Sequence, residues 1–314
     1  MPMEAASFVS RVFLAVFLWG ASIMVALAAT PVLSPSVAVV SAADGPPFDL
    51  VRGARLFAGT RGTHLSAGDL IKTRPGNILI LEFKTGLRVT SLAAIGPSSR
   101  IYWMDQRDSV KLAVLSGWIK IDTLTPGQQA MVITEGARLH AASDAGSYVM
   151  HVSDTADEVF HERGSMTLEL SHSRGAGGGR VSARSGDTSV PSRPDHLTRR
   201  TATGQIQTRL SADATFVNAL PSTFLDPLPA GLGAQLYTVA QPQLVRDVAY
   251  DDVADWLAAP KEWRRGFVRR FRPRLKDPAF FQALDAQMTT HPEWAPILHP
   301  PEETLKLSSV APQH

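Results

Sequence analysis

Residues 65–92, LSAGDLIKTRPGNILILEFKTGLRVTSL, leave this chain little choice of architecture. Gly68-Asp69 is a turn pair, because Gly accepts a positive φ and Asp bonds its own neighbouring backbone. Leu70 and Ile71 follow, and a second turn falls at Arg74-Pro75-Gly76-Asn77. Ile78-Leu79-Ile80-Leu81-Glu82-Phe83 is an apolar run of β-forming residues. A third turn at Lys84-Thr85-Gly86 leads into Leu87-Arg88-Val89-Thr90, which alternates apolar and polar positions. Short strands divided by Gly-containing turns at a spacing of about 8–12 residues predict an all-β sandwich, barrel or solenoid.

The same residues resemble the periplasmic FecR domain, whose pattern is a leucine, a Gly-Asp pair, an apolar residue and a Thr, then an apolar strand ending in a Gly turn. Leu65, Gly68-Asp69, Ile71, Thr73, Ile78, Leu81, Phe83, Gly86 and Val89 fill those places. Leu115-Ser116-Gly117-Trp118-Ile119 is similar to a later strand of the family, and the resemblance fades after about residue 170. These residues are turns and core positions, so they specify a fold rather than an activity. The resemblance implies a mainly β domain, as a stack of short strands that is β-solenoid-like or a sandwich, with a small α-helical C-terminal segment. It implies no catalysis and no cofactor.

The pattern continues along residues 48–170. Candidate strands lie at 101–104, 110–114, 118–122, 130–134, 138–141, 148–152, 158–161 and 166–170, with turns at 96–98, 126–127, 135–136, 144–146 and 163–164. No strict internal repeat separates the solenoid from the sandwich.

The flanking segments read as delivery and attachment. Arg11 precedes an uncharged apolar run over 12–29, and Ala26-Leu27-Ala28 fits the small-x-small cleavage pattern of a secretory signal peptide. A run of about 18 residues also suits a short membrane anchor. In either case Arg11 before the run, and no basic residue until Arg52, place the rest of the chain in the periplasm. Only about ten residues precede the run, too few for the cytoplasmic anti-sigma segment that sigma regulators of the FecR family carry. The organisation expected is a signal peptide over 1–28, a linker over 29–47, the β domain over 48–170, a disordered linker over 171–210, a small helical domain over 211–299 and a tail over 300–314. The linker reading of 171–210 rests on its Gly, Ser, Thr and Pro content and its scarcity of large apolar residues.

The chain holds no cysteine, which excludes disulfides, thiolate metal sites and Cys nucleophiles. A net charge of +2 does not call for nucleic acid. His140, His151, His161 and His172 recur at 10–11-residue spacing. They stack into a metal-binding column if one coil takes that many residues, and are separate solvated side chains otherwise. Glu82, Asp105 and Asp108 share no face that would make a carboxylate dyad.

Two groups are candidates for binding. Trp103 on a strand suits a sugar ring or a partner strand if exposed, and core packing if buried. The basic run Arg264, Arg265, Arg269, Arg270, Arg272, Arg274 and Lys276 is interleaved with Trp263, Phe267 and Phe271. It suits anionic lipid or another polyanion, and equally the solvated face of an amphipathic helix. Helix signals are an Asp251 or Asp252 cap before Val253, Trp256 and Leu257, a helix from Lys261 to about Phe271 with Pro260 suited to its first turn, and an Asp277-Pro278 start. Residues 272–280 with His291-Pro292-Glu293-Trp294 look similar to tails of FecR-domain envelope proteins.

The function expected is therefore a non-enzymatic, exported FecR-like envelope protein that works by binding, in cell-envelope signal transduction. Its partner would be an envelope or membrane protein, with contact to cell-wall glycan or anionic lipid and none to nucleic acid. The alternative is a carbohydrate- or cell-wall-binding module.

Overall fold

The computed structural model describes residues 37–300 apart from 87, 107–108, 128, 136, 142–144, 171–187 and 236–239. All of them fall in the unit Ser34–His314. The expectations for the signal peptide and the tail lie outside the described residues.

The β-forming runs join two sheets. The first has the order β4 (His64–Leu65), β1 (Val37–Asp44), β6 (Ile78–Thr85), β7 (Arg88–Ile95), β9 (Ser109–Thr123), β12 (Ser147–Val152), β13 (Ala156–Arg163), β16 (His196–Thr201) and β17 (Ile206–Leu210). The second runs β18 (Gln243–Asp247), β3 (Arg55–Gly59), β2 (Phe48–Arg52), β5 (Leu70–Lys72), β8 (Arg100–Gln106), β9, β10 (Gln129–Ile133), β11 (Ala137–Ala141), β14 (Met166–Leu170) and β15 (Thr188–Ser192). Among the described residues every ladder between these strands is antiparallel except that of β9 with β10.

β9 belongs to both sheets. Its first half pairs with β8 and β10, and its second half with β7 and β12. The transfer comes at Gly117, whose φ is +96° and whose absent Cβ would lie 2.2 Å from Ser99 Oγ. Only glycine takes that conformation at such a close approach without strain. Ser99 Oγ accepts from Trp118 N at 2.9 Å, fixing the corner. The two candidate strands at 110–114 and 118–122 are thus one strand, and the chain is mainly β as expected. A solenoid stacks successive coils as repeats, whereas this sheet curls antiparallel into a half-barrel.

Alternation decides the layers. Leu79, Leu81 and Phe83 from β6, Ile119 and Ile121 from β9, and Tyr148 and Met150 from β12 point inward. They meet Leu50, Ile71, Ile101, Trp103, Leu112 and Val132 of the second sheet in one enclosed core. Full burial of each such side chain contributes about 1.5–3 kcal/mol relative to exposure.

The outer face of the second sheet carries the helices. These are α2 (Tyr250–Leu257), α3 (Phe267–Phe271) and α4 (Pro278–Ala286), followed by a single turn, α5 (Ala295–Leu298). Trp256, Phe267, Phe271, Phe280, Leu284 and Trp294 pack there with Val51, Leu56 and Leu70. Asp277 caps α4 by accepting from Ala279 N at 3.0 Å, and Pro278 follows, as predicted. The outer face of the first sheet is crossed by residues 212–235, which begin with α1 (Ala214–Ala219) and bury Phe216, Phe224 and Leu228 against Leu92, Trp118 and Leu197. Among the described residues no helix is long and apolar enough to cross a membrane.

Four sequence expectations are corrected. Residues 37–44, read as linker, form β1, because their small apolar residues pair along β6 and enter the core. Residues 188–210, read as disordered, form β15, β16 and β17; their polar composition is offset by ladder pairing onto β14 and β13. The expected helix from Lys261 to about Phe271 is helical only over α3, because Trp263 turns inward to pack on Ala113 and Ile133. At α2 the cap position is Ala249, and Asp252 serves from within the first turn by accepting from Ala249 N at 2.7 Å.

Candidate binding surface

The Gly68-Asp69 turn sits where the helical segment meets the sandwich. Gly68 has φ +89°, and its N–H donates to Trp103 O at 2.9 Å. Trp103 N donates in return to Asp69 O at 2.9 Å, clipping the turn to β8. The Asp69 carboxylate is 1% exposed. It accepts from Ser66 N at 2.7 Å, Arg52 Nε at 2.9 Å and Arg52 Nη2 at 2.6 Å. The hydrogen bonds from Arg52 to Asp69 raise the Arg52 pKa and outweigh the opposing effect of burial.

Arg270 of α3 closes over this turn. Its Nη1 donates to Gly68 O at 2.5 Å, its Nε to Gly53 O at 2.6 Å and its Nη2 to Val51 O at 2.7 Å. The guanidinium lies 5.0 Å from the centroid of the Phe271 ring. Burial lowers its pKa to about 10, against the raising influence of Tyr102 and Asp69, so it is a cation at neutral pH. Arg264 is held likewise, its Nη1 donating to Leu257 O at 2.7 Å and Thr290 O at 2.8 Å beside Glu293. Arg274 donates from Nε to Val248 O at 2.8 Å and pairs with Asp247 and Asp277.

The basic run therefore divides by direction. Arg264, Arg270 and Arg274 point inward as carbonyl clamps, whereas Arg265, Arg269, Arg272 and Lys276 are exposed. Of the candidate binding residues, Arg265 and Arg269 face solvent; Arg264 and Arg270 hold the fold. Trp103 is corrected outright. It is 3% exposed and meets Phe83 edge-on at 5.9 Å inside the core, because its place on β8 alternates inward.

The first sheet holds a second set of buried charges that the sequence does not reveal. Lys120 is 1% exposed, and its Nζ donates to Phe224 O at 2.8 Å, Asp226 O at 3.1 Å and Glu162 Oε1 at 2.9 Å. Asp122 Oδ2 accepts from Leu228 N at 2.9 Å, and Glu82 Oε1 accepts from Gly233 N at 2.8 Å. Charged groups on three outward positions of the sheet thus bind the backbone of the crossing segment. Only the alternation of Lys120 and Asp122 with Ile119 and Ile121 hints at their face in the sequence.

The histidine column does not form from the described residues. β12 and β13 are antiparallel neighbours, with His151 opposite Glu158 and His161 opposite Tyr148. His151 stacks on Trp118 at 4.1 Å, and its Nδ1 lies 3.1 Å from Glu158. The bond with His151 lowers the Glu158 pKa, aided by Arg199 against burial. His161 lies in the interior, its pKa lowered by burial. The side chain of His140 and all of His172 lie outside the described residues, as do the side chains of Asp105 and Asp108.

No family model matches the chain, and no curated protein matches it. Among solved structures it is similar to two crystal structures of a candidate anti-sigma factor from Parabacteroides distasonis ATCC 8503. In each case the identity is 12% and the TM-score 0.35, covering 48% of this chain and 62% of the other. The chain therefore spans less than two thirds of the length of these neighbours, and a likeness at that level transfers no activity.

Proposed function

We propose that this chain is a non-enzymatic, exported FecR-like envelope protein that works as a binding and regulatory module, in cell-envelope signal transduction. One observation carries the reading: the Gly-Asp turn that underlies the resemblance serves to hold architecture. Asp69 is engaged by Arg52, and Gly68 receives Arg270. The buried charges of the first sheet are likewise committed to backbone and ion-pair contacts. What such a scaffold offers a partner is surface, with the helical segment fixed to the sandwich. The partner proposed is an envelope or membrane protein.

A second reading has its own observation. Arg265, Arg269, Arg272 and Lys276 are exposed within one short segment, which suits anionic lipid or another polyanion. Trp103 and Trp118, the strand tryptophans that a sugar-binding reading would draw on, are buried, which favours the polyanion over the sugar.

The test is crosslinking capture of the full chain from solubilised envelopes of its source organism, read by mass spectrometry. Recovery of one membrane protein, lost when the surface of the sandwich is altered, supports the partner reading. Retention on isolated cell wall with no protein captured overturns it.

A further inference from the structure

Among the described residues the two sheets have four edges, and three of them are guarded. β4 is two residues long and is preceded by the Thr63–Ala240 bridge. β15 carries Pro191, which has no N–H to offer a new strand. β18 has a register shift between Leu244 and Arg246, and ends in the charged pair Arg246 and Asp247. Such devices block edge-to-edge pairing. β17, Ile206-Gln207-Thr208-Arg209-Leu210, has neither a proline nor a register shift, and its one charge, Arg209, is paired with Asp213 of its own chain. It is exposed throughout, pairs with β16 in unbroken register and contains no proline.

Its outer edge presents a regular row of backbone groups. Ser211 N donates to Asp195 O at 2.7 Å and Thr201 N donates to Gln205 O at 2.9 Å, so the backbone groups of odd-numbered residues face β16. Alternation then turns the N–H and C=O of Ile206, Thr208 and Leu210 outward. Thr208 Oγ1 lies 3.4 Å from Thr198 Oγ1, on the inner face. Ile206 and Leu210 share that face and remain 39% and 79% exposed. Thr208, between them, lines a cleft of about 290 Å³ together with Leu168, Val190, Pro191 and His196.

We propose that β17 pairs with β17 of a second copy of this chain, antiparallel about a two-fold axis at Thr208. The occupant follows from the sequence of the strand itself. Two-fold pairing at Thr208 sets Ile206 opposite Leu210 of the second copy and Gln207 opposite its Arg209. Apolar meets apolar on the cleft side, and no charge faces its like on the other. Arg209 is also engaged at 3.2 Å by Asp213 of its own chain. The same operation on β18 about Val245 would set Leu244 against Arg246, which is not self-complementary. The outward groups of Ile206, Thr208 and Leu210 supply the hydrogen bonds across the axis. A five-residue seam is small beside the roughly 1,200 Å² of a stable interface, so the dimer is weak and concentration-dependent.

The experiment is sedimentation velocity on the full chain over a wide range of protein concentration, paired with crosslinking. The expected result is a monomer–dimer equilibrium. Thr208→Pro removes an outward N–H that faces away from β16, and Leu210→Lys removes the apolar match. Each should weaken dimerisation at least about tenfold, with circular dichroism unchanged in at least one of the two. Because the chain has no cysteine, Thr208→Cys gives a single thiol, which a short bismaleimide should join to its twin. Val245→Cys, on the guarded edge, should not be joined. A monomer at every concentration, a dimer undiminished in both strand variants, or equal crosslinking at Val245 would overturn the proposal. So would a Thr208→Cys product joined only to a foreign protein, which would assign the edge to another partner.

Discussion

Arg270 Nη1 and the carbonyl oxygen of Gly68 lie 2.5 Å apart, across 202 positions of sequence. The contact joins the turn that defines the β domain to the helix that follows it much later. It explains why a glycine turn of this kind is half-buried in the fold, and why the helical segment packs as part of the sandwich.

Arg270 and Arg269 are adjacent and identical in chemistry, yet they should behave as opposites. Arg270→Ala strips three carbonyls of a charged donor, and should cost about 2–4 kcal/mol. Arg269→Ala, on the exposed side, should change stability by less than about 0.5 kcal/mol. Urea denaturation of both variants checks this. Equal effects would show that the inward clamp does not form in solution.

Trp103→Ala should destabilise by about 3–5 kcal/mol, because it opens a cavity beside Phe83 in the main core. Trp103→Phe should cost less, since most of the volume and the aromatic contact remain. Thermal unfolding orders the two. A Trp103→Ala protein as stable as the parent would return this residue to the surface.

Much of the fold is legible because local chemistry and global pairing agree. The Gly turns and apolar alternation from Leu65 to Leu170 mark strands that the ladders then use. What escapes is whatever depends on distant partners. β17 reads as disordered because Gln207, Thr208 and Arg209 gain order only by pairing with β16. Trp103 fits either fate until β8 is paired and its inward face is set. The binding residues are half legible for a related reason. A basic run shows its charge in the sequence, but the inward turn of Arg270 depends on carbonyls of Val51, Gly53 and Gly68, which the chain laid down long before.

Lys120→Met keeps the length of the side chain and removes its charge. Phe224 O, Asp226 O and Glu162 then lose a shared donor, at a cost of about 3 kcal/mol. The loss should fall first on the segment crossing the first sheet, so limited chymotrypsin digestion should speed up beside the exposed Leu225. Lys261→Met, at an exposed position, is the control and should change neither reading. If digestion at Leu225 is no faster in Lys120→Met, the buried amine does not hold that segment.

Two interior histidines among the described residues should govern the response to acid. His161 and His291 are both nearly inaccessible, and burial lowers both pKa values. His291 has Nδ1 3.0 Å from Leu257 O and Nε2 2.7 Å from the Tyr250 hydroxyl. The neutral ring satisfies both contacts, with Nδ1–H donating and Nε2 accepting, and a second proton would remove that acceptor. Because the folded values lie below the unfolded value near ~6.5, the unfolded chain binds more protons in acid. Stability is therefore fully present above about pH 6.5 and is lost as pH falls below it, by at most about 1.4 kcal/mol per pH unit for each histidine. Melting temperature should be level between about pH 8 and 7 and decline from about 6.5 to 5. His291→Gln keeps a donor for Leu257 O without the titration, and with His161→Gln should flatten that decline. The carboxylates Glu158 and Asp213, whose pKa values are lowered, act only at more acid pH and leave this window untouched. An unchanged slope in the folded double variant would assign the acid response to other groups.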